Sequence, residues 1–93
     1  MLDNKKLEEI AFIMKALSNK DRISILIYLR DKQESAVHEI SDIIGIRQPT
    51  ISQHLILMYR LGVLGKKRHG KETYYRIKNK MVSDVVFKIL EMI

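Results

Sequence analysis

The chain of 93 residues contains no cysteine. This absence excludes disulfide bonds, thiolate metal sites and thiol redox switches. The chain also lacks a glycine-rich phosphate loop and a serine–histidine–acid grouping that a fold would bring together. Catalysis therefore finds little support, and we expect a protein that is not an enzyme.

Long hydrophobic runs are missing as well. The apolar residues 10–14 are preceded by acidic residues, and Lys15 ends the run directly after them. This pattern is neither a signal peptide nor a membrane span. We expect one domain over residues 1–93, in a cytoplasmic protein that does not bind membranes.

The positive charge of the chain is concentrated in one block. The formal net charge is +6, and residues 60–80 contain eight lysines and arginines but a single acidic residue, Glu72. The remainder of the chain is close to neutral. A basic block on a nearly neutral body is typical of a surface that binds phosphates, although a solvated lysine-rich surface is the alternative for the block alone.

Residues 39–55 have the pattern of a helix-turn-helix. A short amphipathic helix ends at Gly45, which suits a chain reversal with positive φ, and a second helix begins near Pro49, whose missing N–H is tolerated there. Ile51, Leu55 and Met58 recur at i, i+4 and i+7 and predict the buried rear of the second helix. Such a helix can present its other face to the major groove of DNA.

The first two turns of the second helix are unusually polar and supply most of the candidate DNA-contacting residues. Together with two cations of the basic block, the candidates are Gln48, Thr50, Ser52, Gln53, His54, Arg68 and Lys71. We expect Gln48, Thr50 and Gln53 to contact base edges, because glutamine is a natural partner of adenine. The other four are expected to hold phosphates. For His54 the alternative is a partly buried histidine that braces the helix.

The remaining pattern predicts a mainly α fold with a small β-hairpin. We expect helices over residues 7–17 and 21–31, a polar loop over 31–35, strands over 63–68 and 72–77 around a turn at 69–71, and a last helix over 80–93 capped by Asn79. One of Tyr74 and Tyr75 should be buried, because neighbouring residues of a strand alternate between faces. A cationic hairpin directly after a recognition helix is a wing, so the fold class is a winged helix-turn-helix of order α-α-α-α-β-β-α.

Both terminal segments carry more apolar surface than one small core needs. The first helix has apolar side chains on one face and, beside that face, further apolar side chains. The last helix has at least two apolar faces. Leaving such surfaces in water is costly. We therefore expect a homodimer built from the terminal helices, at about residues 3–17 and 80–93.

Three stretches together resemble the bacterial ArsR/SmtB winged-helix repressors. They read Ala-Leu-Ser-Asn-Lys-Asp-Arg-Ile-Ser-Ile-Leu at residues 16–26, Arg-Gln-Pro-Thr-Ile-Ser-Gln-His-Leu at 47–55, and Gly-Val-Leu through Gly-Lys-Glu-Thr-Tyr-Tyr-Arg-Ile at 62–77. The resemblance covers nearly the whole chain in the right order. It implies a homodimeric repressor that binds double-stranded DNA at an inverted repeat in its own or a neighbouring promoter.

The departures from that family concern its metal sites. Many members have Cys-Val-Cys where this chain has Ala36-Val37-His38, and others bind zinc or cobalt through histidines of a last helix that here offers only Asp84 and Glu91. His38 and Asp42 are i, i+4 neighbours, for which a surface ion pair is favoured over two metal ligands.

We therefore expect no metal and no cofactor, as in the metal-independent, cysteine-free branch that includes small repressors of toxin and virulence genes. Two alternatives stay open. One is a winged-helix module for protein–protein contact. The other is a metal-responsive repressor with an unusual site made from His38 and carboxylates across the dimer.

Overall fold

The computed structural model describes residues 3–93, so residues 1 and 2 of the predicted domain lie outside the described residues. The elements follow one another as α1 (Asn4–Ala16), α2 (Lys20–Lys32), β1 (Glu34–Ala36), α3 (Val37–Ile44), α4 (Gln48–Arg60), β2 (Leu64–His69), β3 (Glu72–Ile77) and α5 (Lys80–Met92). The mainly helical fold class with a hairpin wing is confirmed.

Side-chain caps determine where three of the helices begin. The Asn19 carboxamide oxygen accepts from the amides of Asp21 and Arg22, and Asn79 accepts from the amide of Met81 as predicted. Asp3 caps α1 by accepting from the amide of Lys6 at 2.9 Å. The first helix therefore begins three residues earlier than the predicted Leu7.

The helix-turn-helix consists of α3 and α4, joined by a left-handed turn. Gly45 has φ +78°, and its amide donates to the carbonyl of Ser41 at 2.9 Å. This geometry is easily accessible only to glycine and confirms the predicted reversal. Pro49 lies in the first turn of α4, where its missing N–H leaves no helical bond unmade.

The sheet has three antiparallel strands in the order β1-β3-β2, one more than the predicted hairpin. The predicted loop over residues 31–35 is wrong at both ends, because α2 continues to Lys32 and Ser35 pairs with Tyr75 across the ladder. Ser35 is fully buried, and its hydroxyl is bonded to the Tyr28 hydroxyl at 3.0 Å and to the Glu39 carboxylate at 3.1 Å. His69, predicted in the turn, is the last residue of β2.

The core lies between α2, the helix-turn-helix, the sheet and α5. The largest fully buried apolar residues are Ile25, Leu26, Leu29, Ile40, Ile51, Leu55, Met58, Val63, Leu64 and Val82. The sequence prediction that α2 is central is confirmed, since three of these residues belong to it. Tyr75 is buried and Tyr74 is partly exposed, as the alternation predicts.

The two terminal helices are only partly packed. All of residues 3–11 are exposed, and α1 buries only Ile13 and Ala16. On α5 the apolar side chains of Met81, Ile89, Leu90, Met92 and Ile93 are exposed by 45% or more. Within residues 3–93, no helix combines the length and the apolar character needed to cross a membrane.

Candidate nucleic-acid interface

Helix α4 divides into an apolar rear and a polar outer face. Ile51, Leu55 and Met58 are each fully buried, as their spacing predicts. Gln48, Thr50 and Gln53 are exposed on the first two turns, and Ser52 is half-buried. This division leaves hydrogen-bonding side chains outside a rigidly held helix, which is the requirement for reading base edges.

A cleft of about 300 Å³ separates the start of α4 from the wing. We call it the wing cleft; its walls are formed by Ala36, Val37, His38, Gln48, Ser52, Lys71, Glu72 and Thr73. The fold therefore brings Gln48 and Ser52 of the recognition helix next to Lys71 of the wing turn. His38 and Thr73 share the cleft but were not among the predicted DNA-contacting residues, because nothing local in the sequence indicates that α3 and β3 meet there.

The wing is a short hairpin with two cations near its tip. Arg68 and Lys71 are exposed, and the Arg68 guanidinium donates to the carbonyl of Gly70 at 3.4 Å. The ring of His69 meets the ring of Tyr74 edge-on, with centroids 6.0 Å apart. Both cations are thus accessible from solvent, and Lys71 lies beside the start of α4.

Two polar side-chain contacts tie the wing to the rest of the domain. The Nδ1 atom of His38 lies 2.8 Å from Oε1 of Glu72, and Nζ of Lys67 lies 3.6 Å from Oε2 of Glu34. The predicted pair between His38 and Asp42 is wrong: the partner is Glu72, because β3 packs against the start of α3.

His54 has the role that the sequence left as its alternative. Its side chain is only 14% exposed, with Nε2 3.6 Å from Oδ2 of Asp21 and Nδ1 3.5 Å from Nη1 of Arg22. Arg22 in turn donates to the carbonyls of Ala16 and Lys15. His54 therefore braces α4 against the corner between α1 and α2, and its geometry does not favour a phosphate contact.

The basic block does not form one surface. Arg60, Lys66, Arg76 and Lys78 line a separate cleft of about 480 Å³ at the base of the wing. There the Lys66 ammonium lies over the Tyr59 ring at 4.3 Å, and the Arg76 guanidinium lies across Gly65, where a Cβ would come within about 3.0 Å of it. Lys71 of this block lines the wing cleft instead, beside Gln48 and Ser52 of α4.

A hydrogen-bonded carboxylate holds the start of α3 in place. The Glu39 carboxylate accepts from the Ala36 amide at 2.9 Å and from the Ser35 hydroxyl. These two bonds, the backbone one first, lower the pKa of Glu39 from its ordinary value of 4.5. In the wing, the nearby Glu72 carboxylate raises the pKa of the Tyr74 phenol, which donates to Oε2 of Glu72 at 3.3 Å.

The described residues contain no group of three or more histidines and carboxylates placed to hold a metal ion. Asp84 and Glu91 of α5 are both exposed, and Glu91 pairs with Lys88.

A helix-turn-helix with a polar recognition helix, followed by a cationic hairpin, defines the class of winged helix-turn-helix proteins. The sequence pattern of bacterial regulatory proteins of the arsR family matches residues 19–66. The chain belongs to this family.

Individual relatives agree with this assignment. The HTH-type transcriptional repressor SmtB of Mycobacterium tuberculosis is 35% identical over 74 residues, which are 80% of this chain and 54% of SmtB. The chain thus spans about half the length of that relative.

Solved structures extend the likeness to nearly the whole fold. The transcriptional repressor BigR from Xylella fastidiosa superimposes with a TM-score of 0.87 and 30% identity, covering 95% of this chain and 89% of BigR. The second structure is a homodimeric winged helix-turn-helix DNA-binding domain from Mycobacterium bovis, Mb0332. It superimposes with a TM-score of 0.81 and 30% identity, covering 99% of this chain and 86% of that fragment.

Proposed function

We propose that the protein is a transcriptional repressor that binds an inverted-repeat DNA operator as a homodimer, a regulator and not an enzyme. The observation that carries this proposal is the division of α4, whose apolar rear is fully buried while Gln48, Thr50 and Gln53 face outward beside a cationic wing. The relatives named as repressors support it, as does the homodimeric Mb0332 fragment.

The residues divide into three roles. Gln48, Thr50 and Gln53 read base edges in the major groove. Ser52 and the two cations near the wing tip, Arg68 and Lys71, hold backbone phosphates and so set the position of the helix. His54 acts indirectly, by holding α4 against α2.

The dimer brings two copies of α4 to one face of the DNA. In a two-fold dimer of this class the recognition helices enter successive major grooves about 34 Å apart, so the half-sites lie one helical turn apart. Repression then follows from occupation of a promoter.

The test is selection of genomic DNA fragments by the purified protein at near-physiological salt, read out by sequencing. We expect a short imperfect palindrome whose half-site centres are one helical turn apart. Recovery of random fragments would contradict sequence-specific regulation, and recovery of none would favour a winged-helix module for protein–protein contact.

We also propose that DNA binding needs no metal ion. His38, which stands at one of the family's cysteine positions, is engaged with Glu72 at 2.8 Å. Titration with zinc should therefore leave the affinity for the selected operator unchanged. A zinc-dependent loss of affinity would instead support a site made from His38 and carboxylates across the dimer.

A further inference from the structure

We propose that the wing cleft is a seat for a DNA backbone phosphate, and that His38 binds this phosphate in its protonated form. The inference rests on the proposed DNA-binding function and deepens it, because it adds a contacting residue and a proton to the interface. The ligand is a phosphodiester of the DNA strand that passes between α4 and the wing.

Donors from three elements converge on this cleft. His38 comes from the first turn of α3, Gln48 and Ser52 come from the first two turns of α4, and Lys71 comes from the wing turn. The side chain of His38 is 49% exposed, so a phosphate can reach its ring. Imidazolium, ammonium, hydroxyl and amide groups are the donors that proteins use to hold phosphates.

The start of α4 favours an anion in the same place. No side chain caps this helix, whose preceding residue is Arg47. The first amides of a helix and the positive end of its dipole attract negative charge. At α4 this attraction for an anion adds to that of the side-chain donors in the wing cleft.

The carboxylate of Glu72 makes phosphate binding in the wing cleft depend on the protonation of His38. Among the residues of the cleft, the charge of Lys71 is offset by Glu72, whose carboxylate lies 2.8 Å from His38. With neutral His38 the cleft has no net charge, and Glu72 repels a phosphate. With protonated His38 the cleft has one net positive charge, and the imidazolium stands between two anions that both favour it.

The other titratable groups around His38 do not supply this proton. Tyr74 donates its phenolic hydrogen to Glu72, and that carboxylate raises the pKa of the phenol. Glu39 accepts from Ala36 and Ser35, and Asp42 is exposed one turn further along α3. His38 is the one histidine among the residues that line the cleft, and imidazole is the side chain that proteins use to change charge in the physiological pH range.

DNA binding should consequently take up a proton at each subunit. Because the proposed contact needs the imidazolium form of His38, raising the pH from about 6 to about 8 should weaken DNA binding by up to about tenfold per subunit. Because the contact is to a phosphate, the effect should appear on specific and non-specific DNA alike.

The experiment measures DNA affinity at these two pH values by fluorescence anisotropy. The probes are a duplex of about 30 base pairs from the genomic selection, which accommodates two half-sites one turn apart, and a scrambled duplex of the same composition. The proteins are the wild type, His38→Gln, His38→Lys and the control His69→Gln, which alters the histidine of the wing, outside the cleft.

We expect the wild type and His69→Gln to bind more weakly at the higher pH. His38→Gln should bind weakly at both pH values, because glutamine keeps a donor but carries no charge. His38→Lys should bind tightly at both, because lysine keeps its charge throughout this range. A merely structural role of His38 would not produce this pattern.

The outcomes separate the inference from the proposed function. If the selected duplex binds no more tightly than the scrambled one, sequence-specific regulation fails. If it does bind more tightly, the phosphate seat is overturned by a pH-independent wild type, by a pH dependence that persists in His38→Gln, or by His38→Lys binding no better than His38→Gln at the higher pH. Circular dichroism of each variant checks that the exposed substitution has left the fold intact.

Discussion

At the scale of single residues, the proposed interface separates side chains expected to read sequence from side chains expected to hold the backbone. Gln53 projects from the second turn of α4 and is exposed, whereas Lys71 is exposed on the wing turn. A base edge offers a sequence-dependent set of donors and acceptors, and a phosphate is the same at every position. Truncation of Gln53 and truncation of Lys71 should therefore change DNA binding in different ways.

Replacing Gln53 by alanine should relax specificity at one base pair of each half-site. We expect a loss of roughly 1–3 kcal/mol of discrimination there, because a bidentate side-chain contact to the base is removed. Affinities for a panel of operators with single base-pair changes measure it. Equal losses on operator and scrambled DNA would show that Gln53 does not read a base.

Replacing Lys71 by alanine should weaken binding to all sequences by similar factors. Because one phosphate contact per subunit is lost, the slope of log affinity against log salt should become shallower by about one unit per subunit or less. Affinities between low and near-physiological salt, on operator and scrambled duplexes, give the slope. A loss confined to the operator would place Lys71 on a base instead.

His54 and His38 show what residue types alone cannot decide. His54 stands in the recognition helix and was a candidate phosphate contact, yet its ring lies against Asp21 and Arg22. His38 stands outside that helix and was not a candidate, yet it lines the wing cleft. Their partners are far away in sequence, so only packing determines which histidine faces the interface.

At the scale of elements, local signals predicted the helices well and the sheet in part. Asn79 caps α5, Gly45 ends α3, and the spacing of Ile51, Leu55 and Met58 predicted the rear of α4. Strand β1 was missed because it has only three residues and no alternating pattern. It exists because Ser35 pairs with a strand some forty residues away and buries its hydroxyl between Tyr28 and Glu39.

The junction of β1 and α3 should make stability depend on pH through Glu39. Its pKa is lowered in the folded state, so its contribution is present above the unfolded value of 4.5 and is lost as the pH falls through the folded value. Glu39→Gln should be less stable at neutral pH by about 1 kcal/mol, the size typical of helix-capping bonds.

The difference between wild type and Glu39→Gln should shrink on acidification, as the pH falls below 4.5 and through the lowered pKa of the folded-state carboxyl. Urea unfolding at neutral pH and at a series of acidic pH values measures it. The matched control is Asp31→Asn, which removes an exposed carboxylate of α2. A difference for Glu39→Gln that does not change with pH would contradict the assignment.

At the scale of the whole molecule, the terminal helices carry apolar surface that the rest of the chain leaves exposed. Helix α1 exposes Leu7, Ile10 and Met14, and α5 exposes Ile89 and Leu90, each by 45% or more. Burying apolar surface is favourable by about 25 cal/mol per Å². In the proposed homodimer, a second copy would cover this surface of both helices and bring two recognition helices together.

Replacing Leu90 by glutamate should therefore prevent dimerisation, because it places a charge in the apolar surface of α5. Sedimentation velocity should show a monomer where the wild type is a dimer, and operator affinity should fall steeply while the fold is retained. Ile43→Glu is the matched control, since Ile43 is 65% exposed on α3, away from the terminal helices. A dimeric Leu90→Glu protein would place the dimer contact elsewhere.

The sequence by itself determined the helices, their caps, the turn at Gly45, the buried rear of α4 and the class of the protein. Those signals lie within one or two helical turns or in a hairpin, where neighbouring residues decide the local conformation. Only the tertiary structure decided that β1 joins the sheet, that His38 pairs with Glu72, that His54 braces α4, and that the basic block is divided between the tip and the base of the wing. Each of these depends on segments distant in sequence being packed side by side, and the hydrophobic pattern does not specify which polar groups then meet.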